Sequence, residues 1–231
     1  MLRTFIVALL LCSTIVYGQS QGENSSNNVL TGLTNLGAKK ATFGSSSIIK
    51  NVKNPIDGTV YLYDDWANYA TVSSEDTKVR LNNLNFNAQR NAFQSKIGLD
   101  SMFTFNFRNI KDIVVKNKTF KSVYSSVHQR NRVFEVITES KDFSIYKDYR
   151  IEIKAGNPDP QRGSPNDKYL LRHDYYINKD GTFEKFQLKK SKLLKVMGDK
   201  ADKVGAYIKS NKLKLKKPED FAKIMKYYNS L

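Results

Sequence analysis

Tyr169-Leu170-Leu171-Arg172-His173-Asp174-Tyr175-Tyr176-Ile177 runs into Asn178-Lys179-Asp180-Gly181 and then Thr182-Phe183-Glu184-Lys185-Phe186-Gln187-Leu188. Two runs rich in aromatic and aliphatic residues are broken by a turn signal. An Asp-Gly pair tolerates positive φ at both central positions of a two-residue turn, and that turn has the twist of the strands it joins. The stretch therefore predicts a β-hairpin.

The same rhythm extends back towards Thr59. Asn54-Pro55-Ile56-Asp57-Gly58 reads as a turn that launches a strand at Thr59-Val60-Tyr61-Leu62-Tyr63. Val79 and Leu81 alternate with Lys78, Arg80 and Asn82. The period slips at Asn82-Asn83 and resumes with Leu84 and Phe86 between Asn85 and Asn87, which predicts a β-bulge near Asn83. Phe103, Phe105 and Phe107 share one face, as do Tyr149, Ile151 and Ile153. Val133 to Ile137 is denser in apolar residues and predicts a central strand. Ser45-Ser46-Ser47 leads to Ile48-Ile49, a candidate first strand. About a dozen short strands at this spacing predict an antiparallel β-meander, as a curved sheet, a sandwich or an open barrel. Gly156 to Lys168 interrupts the pattern with Pro158, Pro160 and Pro165, an exposed semi-rigid loop that is either functional or an ordinary excursion.

After Leu188 the apolar period changes from 2 to 3.6. Leu193, Leu194, Met197, Ala201, Val204 and Ile208 fall at helical spacing, with Ser191 as a candidate cap and Gly198-Asp199 dividing two helices. Leu213 and Leu215 sit in a short extended link. Pro218-Glu219-Asp220 suits a helix start, because proline needs no donor there and acids favour the positive end of the helix dipole. Phe221, Ile224, Met225 and Tyr228 then make one apolar stripe. The fold class is thus α+β, with lysine-rich C-terminal helices packed on the sheet. The alternative use of such helices, lying on a membrane surface, is the weaker fit to these modest stripes.

The amino terminus sets the compartment. Met1-Leu2-Arg3-Thr4 is short and positive, Phe5 to Tyr17 is almost wholly apolar, and Val16-Tyr17-Gly18 presents small residues for a cut after Gly18. That is the plan of a cleaved secretory signal peptide. Its apolar run of 13 residues falls short of the roughly 20 that span a bilayer. The expected organisation is a signal peptide over 1–18, a flexible leader over 19–53, an antiparallel β domain over 54–188 and a helical segment over 189–231. Cleavage removes Cys12, the only cysteine, so the mature chain is expected to work in the periplasm or outside the cell without disulfides. No transmembrane helix is expected after cleavage. Asn24-Ser25-Ser26 and Asn117-Lys118-Thr119 match the glycosylation pattern, which arises by chance in a chain rich in Asn and Ser.

The formal charge is +16 and lies mostly at one end. From Lys185 onward there are fourteen Lys, no Arg and four acids. Lys192, Lys195, Lys212, Lys214 and Lys216 are candidate contacts for an anionic envelope component. The plain alternative is a solvated helix face. Lysine without arginine lacks the bidentate fork suited to phosphate and base recognition, and nucleic acid is disfavoured as a partner.

No catalytic constellation is present in the sequence. There is no Gly-x-Ser-x-Gly, His-Glu-x-x-His or phosphate-cradling glycine loop, and zinc would need Cys and His that the chain does not cluster. Asp57, Asp64 and Asp65, or Asp159, Asn166 and Asp167, lack an ordered calcium spacing. His173 adjoins Asp174, but neighbouring strand residues point to opposite faces and cannot easily pair. His128 falls in a loop. No catalytic residue, metal or cofactor is assigned. The remaining candidate is Trp66, the sole tryptophan, which with Tyr61, Tyr63 and Tyr69 suits either an aromatic platform for a glycan or peptide, or cross-strand packing.

Three stretches carry a family likeness: Gly58 to Trp66 ahead of Leu84-Asn85-Phe86-Asn87; Lys192-Leu193-Leu194-Lys195-Val196-Met197; and Tyr207-Ile208-Lys209-Ser210-Asn211-Lys212-Leu213 with a closing Tyr227-Tyr228-Asn229. Over Pro55 to Leu231 the layout resembles secreted β-rich proteins of no assigned activity that are common in flavobacteria and their relatives (Bacteroidota). The resemblance implies an extracytoplasmic β-rich domain with a helical end and supplies no catalytic residues. The expected function is a non-enzymatic binding or structural module of the bacterial cell envelope, whose partner is an anionic component, a glycan or a protein. The alternatives are a secreted hydrolase with an unrecognised active site, or a glycan- or protein-binding module acting through the Trp66 region.

Overall fold

Asp180 and Gly181 adopt φ of 51° and 77°, and the strands on either side pair from Lys179↔Thr182 to Tyr175↔Phe186. The predicted hairpin is therefore present, closed by a two-residue turn with both residues left-handed. Lys116 and Asn117, at φ 46° and 61°, close a second hairpin in the same way at Val115↔Lys118.

The computed structural model describes residues 43–48, 56–75, 77–97, 101–157 and 166–231. The signal peptide, nearly all of the leader, Asn54-Pro55 and the loop prolines Pro158, Pro160 and Pro165 lie outside the described residues.

Twelve strands are present: β1 (Gly44–Ile48), β2 (Ala70–Ser73), β3 (Lys78–Leu81), β4 (Leu84–Asn87), β5 (Ala92–Lys96), β6 (Ser101–Phe105), β7 (Asp112–Val115), β8 (Lys118–Ser125), β9 (Arg130–Glu139), β10 (Ser144–Lys154), β11 (Lys168–Lys179) and β12 (Thr182–Phe186). They form a small sheet in the order β1-β6-β5-β4 and a large one in the order β12-β11-β10-β9-β8-β7-β2-β3. Every pairing between these strands is antiparallel. Neither sheet closes into a barrel. The dense Val133–Ile137 run lies in β9, an interior strand, as its composition predicts. The strand foreseen at Ser45–Ile48 is β1, inside the stretch read as leader.

Two expectations about the strands are corrected. The slip at Asn82-Asn83 is not a bulge within one ladder. The chain leaves the large sheet after Leu81 and enters the small one at Leu84, turning through Asn83 at φ 65°. Leu81 and Leu84 are both buried in the core between the sheets, so the change of face is what keeps them inside while the chain changes layer. Thr59–Tyr63, secondly, is not a ladder strand. It touches β4 through one bridge, Tyr61↔Asn87, with Leu62 N–H donating to Phe86 C=O (2.9 Å) and Ala88 N–H to Val60 C=O (2.9 Å). Beyond that bridge the Asn85 side chain replaces the backbone: its Oδ1 accepts from Tyr63 N–H (3.2 Å) and its Nδ2 donates to Tyr63 C=O (2.8 Å).

The sheets share a core in which Leu84, Phe86, Phe93, Phe103 and Phe105 meet Val72, Leu81, Ile113 and Phe120. Phe120 stacks on Phe86 at 5.6 Å and meets Phe93 edge-on at 5.0 Å. Gly44 lies so close to β6 that an added Cβ would stand 2.0 Å from Thr104 O.

Helices α1 (Lys190–Val196), α2 (Ala201–Ser210) and α3 (Pro218–Ser230) follow, with a 3-10 turn at Gly198–Lys200 dividing the first two as Gly198-Asp199 predicts. Ser191 does not cap α1: Lys189 holds the cap position and its carbonyl accepts from Leu193 N–H, so Ser191 is already helical. The link through Leu213 and Leu215 is a series of turns rather than extended chain. Leu193, Met197, Val204, Ile208, Phe221, Ile224, Met225 and Tyr228 are all buried, on Phe143, Ile145, Ile177 and Phe186 of the sheet side. Ile145, Tyr149 and Ile151 alternate on one face of β10. Ile145 packs under the helices, whereas Tyr149 and Ile151 pack towards the small sheet. One face of the large sheet thus carries both coverings, side by side. No helix among the described residues is long and apolar enough to cross a membrane.

Candidate functional site

Alternation along β4 and β5 sends Leu84, Phe86 and Phe93 into the core and leaves Asn85, Asn87, Gln94 and Lys96 on the outer face of the small sheet. An outer face built of amides is unusual, because a strand face turned to water is ordinarily charged. Here the amides are buried: Asn85, Asn87 and Gln94 are 0%, 4% and 2% exposed. The Thr59–Trp66 stretch lies over them. Gln94 Oε1 accepts from the Tyr61 hydroxyl (3.1 Å) and from Asn87 Nδ2 (2.9 Å), and Gln94 Nε2 donates to Thr104 Oγ1 (2.9 Å). Burial pushes the Tyr61 phenol above its ordinary value, so it stays a neutral donor.

Trp66 is held by its neighbours rather than by a ladder. Asp65 C=O accepts from Asn68 Nδ2 (2.8 Å) and Asn85 Nδ2 (3.1 Å), and Trp66 C=O accepts from Asn68 N–H (2.7 Å). The Tyr61 and Trp66 rings meet edge to face at 4.7 Å, and Lys96 Nζ stands 4.8 Å from the indole centre. The indole N–H has no hydrogen-bond partner among the described residues.

A cleft opens on each side of this pair. The first, about 330 Å³, is lined by Trp66, Ala67, Tyr69, Asn82, Asn83 and Lys96. Tyr69 is 78% exposed at its rim. Asn82 Oδ1 and Asn83 Oδ1, on two of its lining residues, are shielded from solvent and accept no hydrogen bond from the described residues. The second, about 440 Å³, has Tyr61, Asn87, Arg90, Gln94 and Met102 among its lining residues.

Of the aromatic residues singled out in the sequence, Trp66, Tyr61 and Tyr69 come together and Tyr63 does not. Tyr63 turns inward against the inter-sheet core, with Lys116 Nζ 4.7 Å from its ring. Its buried hydroxyl finds no partner among the described residues, and burial followed by the Glu135 charge pushes its pKa well up. Lys192, Lys195, Lys212, Lys214 and Lys216 are all exposed on the helical covering. Of the fourteen lysines from Lys185 onward, only Lys185 (with Asp174) and Lys200 (with Asp142) have an ion-pair partner among the described residues.

Two polar clusters on the large sheet went unforeseen, because strand pairing assembles them from residues distant in the chain. In the first, Ser125 Oγ and His128 Nδ1 share a hydrogen bond of 2.8 Å, His128 Nε2 lies 3.8 Å from Asp148 Oδ2, and Arg132 Nη2 donates to both Asp148 oxygens at 2.9 and 3.1 Å. The residue types are those of a nucleophilic triad, but the arrangement is not. Ser125 is 0% exposed, its Oγ also takes the His128 backbone N–H, and Asp148 is engaged by Arg132. In the second, the Tyr149 hydroxyl donates to Glu135 Oε2, Lys118 Nζ reaches both (3.2 and 3.0 Å), and Lys147 Nζ sits 4.8 Å from the Tyr149 ring. His173 lies on this side, 5.4 Å from Tyr175, while Asp174 bonds Arg150 and Lys185 across the sheet, so the two do face apart as alternation requires. Burial, and then the Lys147 charge, hold His173 below its ordinary pKa.

Asp57 accepts from Asn166 Nδ2 (3.3 Å), and Asp65 pairs with Lys116 (3.3 Å). Asp159 lies outside the described residues. Among the described residues no three or more His, Cys, Asp or Glu gather as a metal site. No protein-family model, curated protein or solved structure matches the chain.

Proposed function

We propose that the protein is a non-catalytic binding module of the bacterial cell envelope that takes a glycan on the outer face of its small sheet. The observation that carries this reading is the pairing of Trp66 and Tyr61 between two clefts walled by amides. A sugar ring offers an apolar C–H face and a rim of hydroxyls. The first suits an aromatic ring and the second suits Asn and Gln, which donate and accept. Small-ligand sites commonly have this size and this mixture.

An array of envelope glycans, probed with the mature protein and with Trp66→Ala, tests the reading. Loss of a central aromatic contact is expected to cost about 2 kcal/mol, roughly thirtyfold in affinity, with unchanged circular dichroism. Loss of folding in Trp66→Ala would return the residue to a purely structural role.

A second reading, docking of the lysine-rich covering on an anionic envelope surface, is favoured by the lysines that have no ion-pair partner among the described residues. The apolar stripes of the helices are spent in the core, so that surface acts by charge alone. Replacing Lys192, Lys195, Lys212, Lys214 and Lys216 by Gln is expected to abolish salt-sensitive retention on vesicles containing anionic lipid. Equal retention of the variant would remove this reading.

A further inference from the structure

We infer that the two clefts beside Tyr61 and Trp66 are adjoining subsites for one acidic oligosaccharide, whose carboxylates are taken by Lys96 and Arg90. The inference rests on the glycan reading above and adds the class of sugar and the register of the chain.

Continuity comes from β5. Gln94 lines the second cleft and Lys96 the first, two residues apart on the same side of the strand, hence about 7 Å along it. The edge-to-face contact of Tyr61 and Trp66 forms the divide, so a chain crossing it passes from one ring to the next without leaving the surface. Each cleft is sized for a small ligand rather than for a folded domain, and a protein partner would need a broad patch of roughly 800 Å² per side.

The charge selects among sugars. One cation stands in each cleft, Lys96 in the first and Arg90 in the second. Among the described residues neither has an ion-pair partner, and none of those lining either cleft carries a carboxylate. Some other cations of the sheets are paired, Lys118 with Glu135, Lys121 with Glu139 and Arg132 with Asp148, whereas Lys78, Arg80 and Lys147, like Lys96 and Arg90, have no ion-pair partner among the described residues. Arg90 is exposed and offers the fork that binds carboxylate bidentately. Lys96 rests over the indole, a contact that is weak at an exposed site. A uronate carboxylate gives that ammonium a stronger partner and frees the ring face for the sugar.

The lysine-rich helices would attract any polyanion, so the test must separate that background from the clefts. Tetramers of galacturonate, glucuronate, mannuronate and guluronate, each beside its carboxyl-reduced neutral counterpart, are titrated calorimetrically into the mature protein at about physiological salt. At least one uronate tetramer is expected to bind at least tenfold more tightly than its neutral counterpart. The Arg90→Gln/Lys96→Gln double variant, at exposed positions, should lose that preference with its circular dichroism intact. The variant with Gln at Lys192, Lys195, Lys212, Lys214 and Lys216 should keep it. Equal binding of acid and neutral forms overturns the acidic class while leaving the glycan reading standing. Binding of neither form overturns both. Uronate binding that survives Arg90→Gln/Lys96→Gln but is lost with the lysine-depleted helices overturns the site itself.

Discussion

His128 sits in the turn between β8 and β9, against the Arg132–Asp148 pair, and its pKa is lowered first by burial and then by the Arg132 charge. His173 is lowered too, by burial and Lys147. A histidine whose folded pKa lies below its unfolded value binds fewer protons in the native state. Stability from these two is therefore fully present above about pH 6.5, the unfolded value, and is lost as pH falls from there through the lower folded value. Urea midpoints should fall between about pH 7 and pH 5, and the His128→Gln/His173→Gln double variant should flatten that fall. A slope unchanged in the variant would assign the pH dependence to other groups. The sequence could place His173 and Asp174 back to back, since alternation needs only neighbours. It could not bring His128 to Asp148, because the contact depends on the register of β9 on β10, which shifts at Ile145/Tyr146.

Elements with local causes were legible. The Asp180-Gly181 turn, the start of α3 at Pro218 and the break at Gly198 each need only a few adjacent residues. Elements defined by distant partners were not. Thr59–Tyr63 has strand composition, yet only Tyr61 forms a bridge, because the Asn85 side chain occupies the place of the next ladder bonds. The corner at Asn82-Asn83 left its mark as a slipped period, but a period cannot distinguish an extra residue from a change of sheet. For the same reason the Trp66 site was half readable: the aromatic cluster is local, whereas Arg90, Gln94 and Lys96 reach it through the pairing of β4 with β5. The edge strand β1 supplies a test at this scale. Gly44→Ala would set a Cβ against Thr104 O, which stands 2.0 Å from that point, so β1 must shift away from β6. Hydrogen exchange should quicken in the Ser45–Ser47 amides while β9 and β10 stay protected. Protection unchanged at β1 would mean that the strand accommodates the methyl.

Across the whole molecule, one face of the large sheet joins two cores that do not otherwise merge, while Phe134, Tyr146, Tyr176 and Phe183 form a third buried cluster among the described residues. β10 contributes Ile145 to the core under the helices and Tyr149 to the core under the small sheet. Neither covering can be lost without exposing apolar surface on that shared strand. Unfolding followed by Trp66 fluorescence, which reports the small-sheet end, and by helical circular dichroism at the other end, is therefore expected to give coincident midpoints. Two separated transitions would show that the coverings are independent. Net charge and its concentration at the carboxyl end were plain from composition, but which lysines remain unpaired depended on where the few acids landed. The open side of β11 carries a last consequence. Beyond Tyr175 it has outgrown β12, and among the described residues nothing pairs with Leu170–Asp174 on the side away from β10. Such a margin ordinarily invites a stranger's strand and, copy upon copy, a fibre. Here Arg150 with Asp174 and Arg172 with Glu152 stud that end of the sheet with fixed charge of both signs. A second molecule arriving in register would set like charge against like, and a crowded solution of the protein should remain clear where a smoother border would gel.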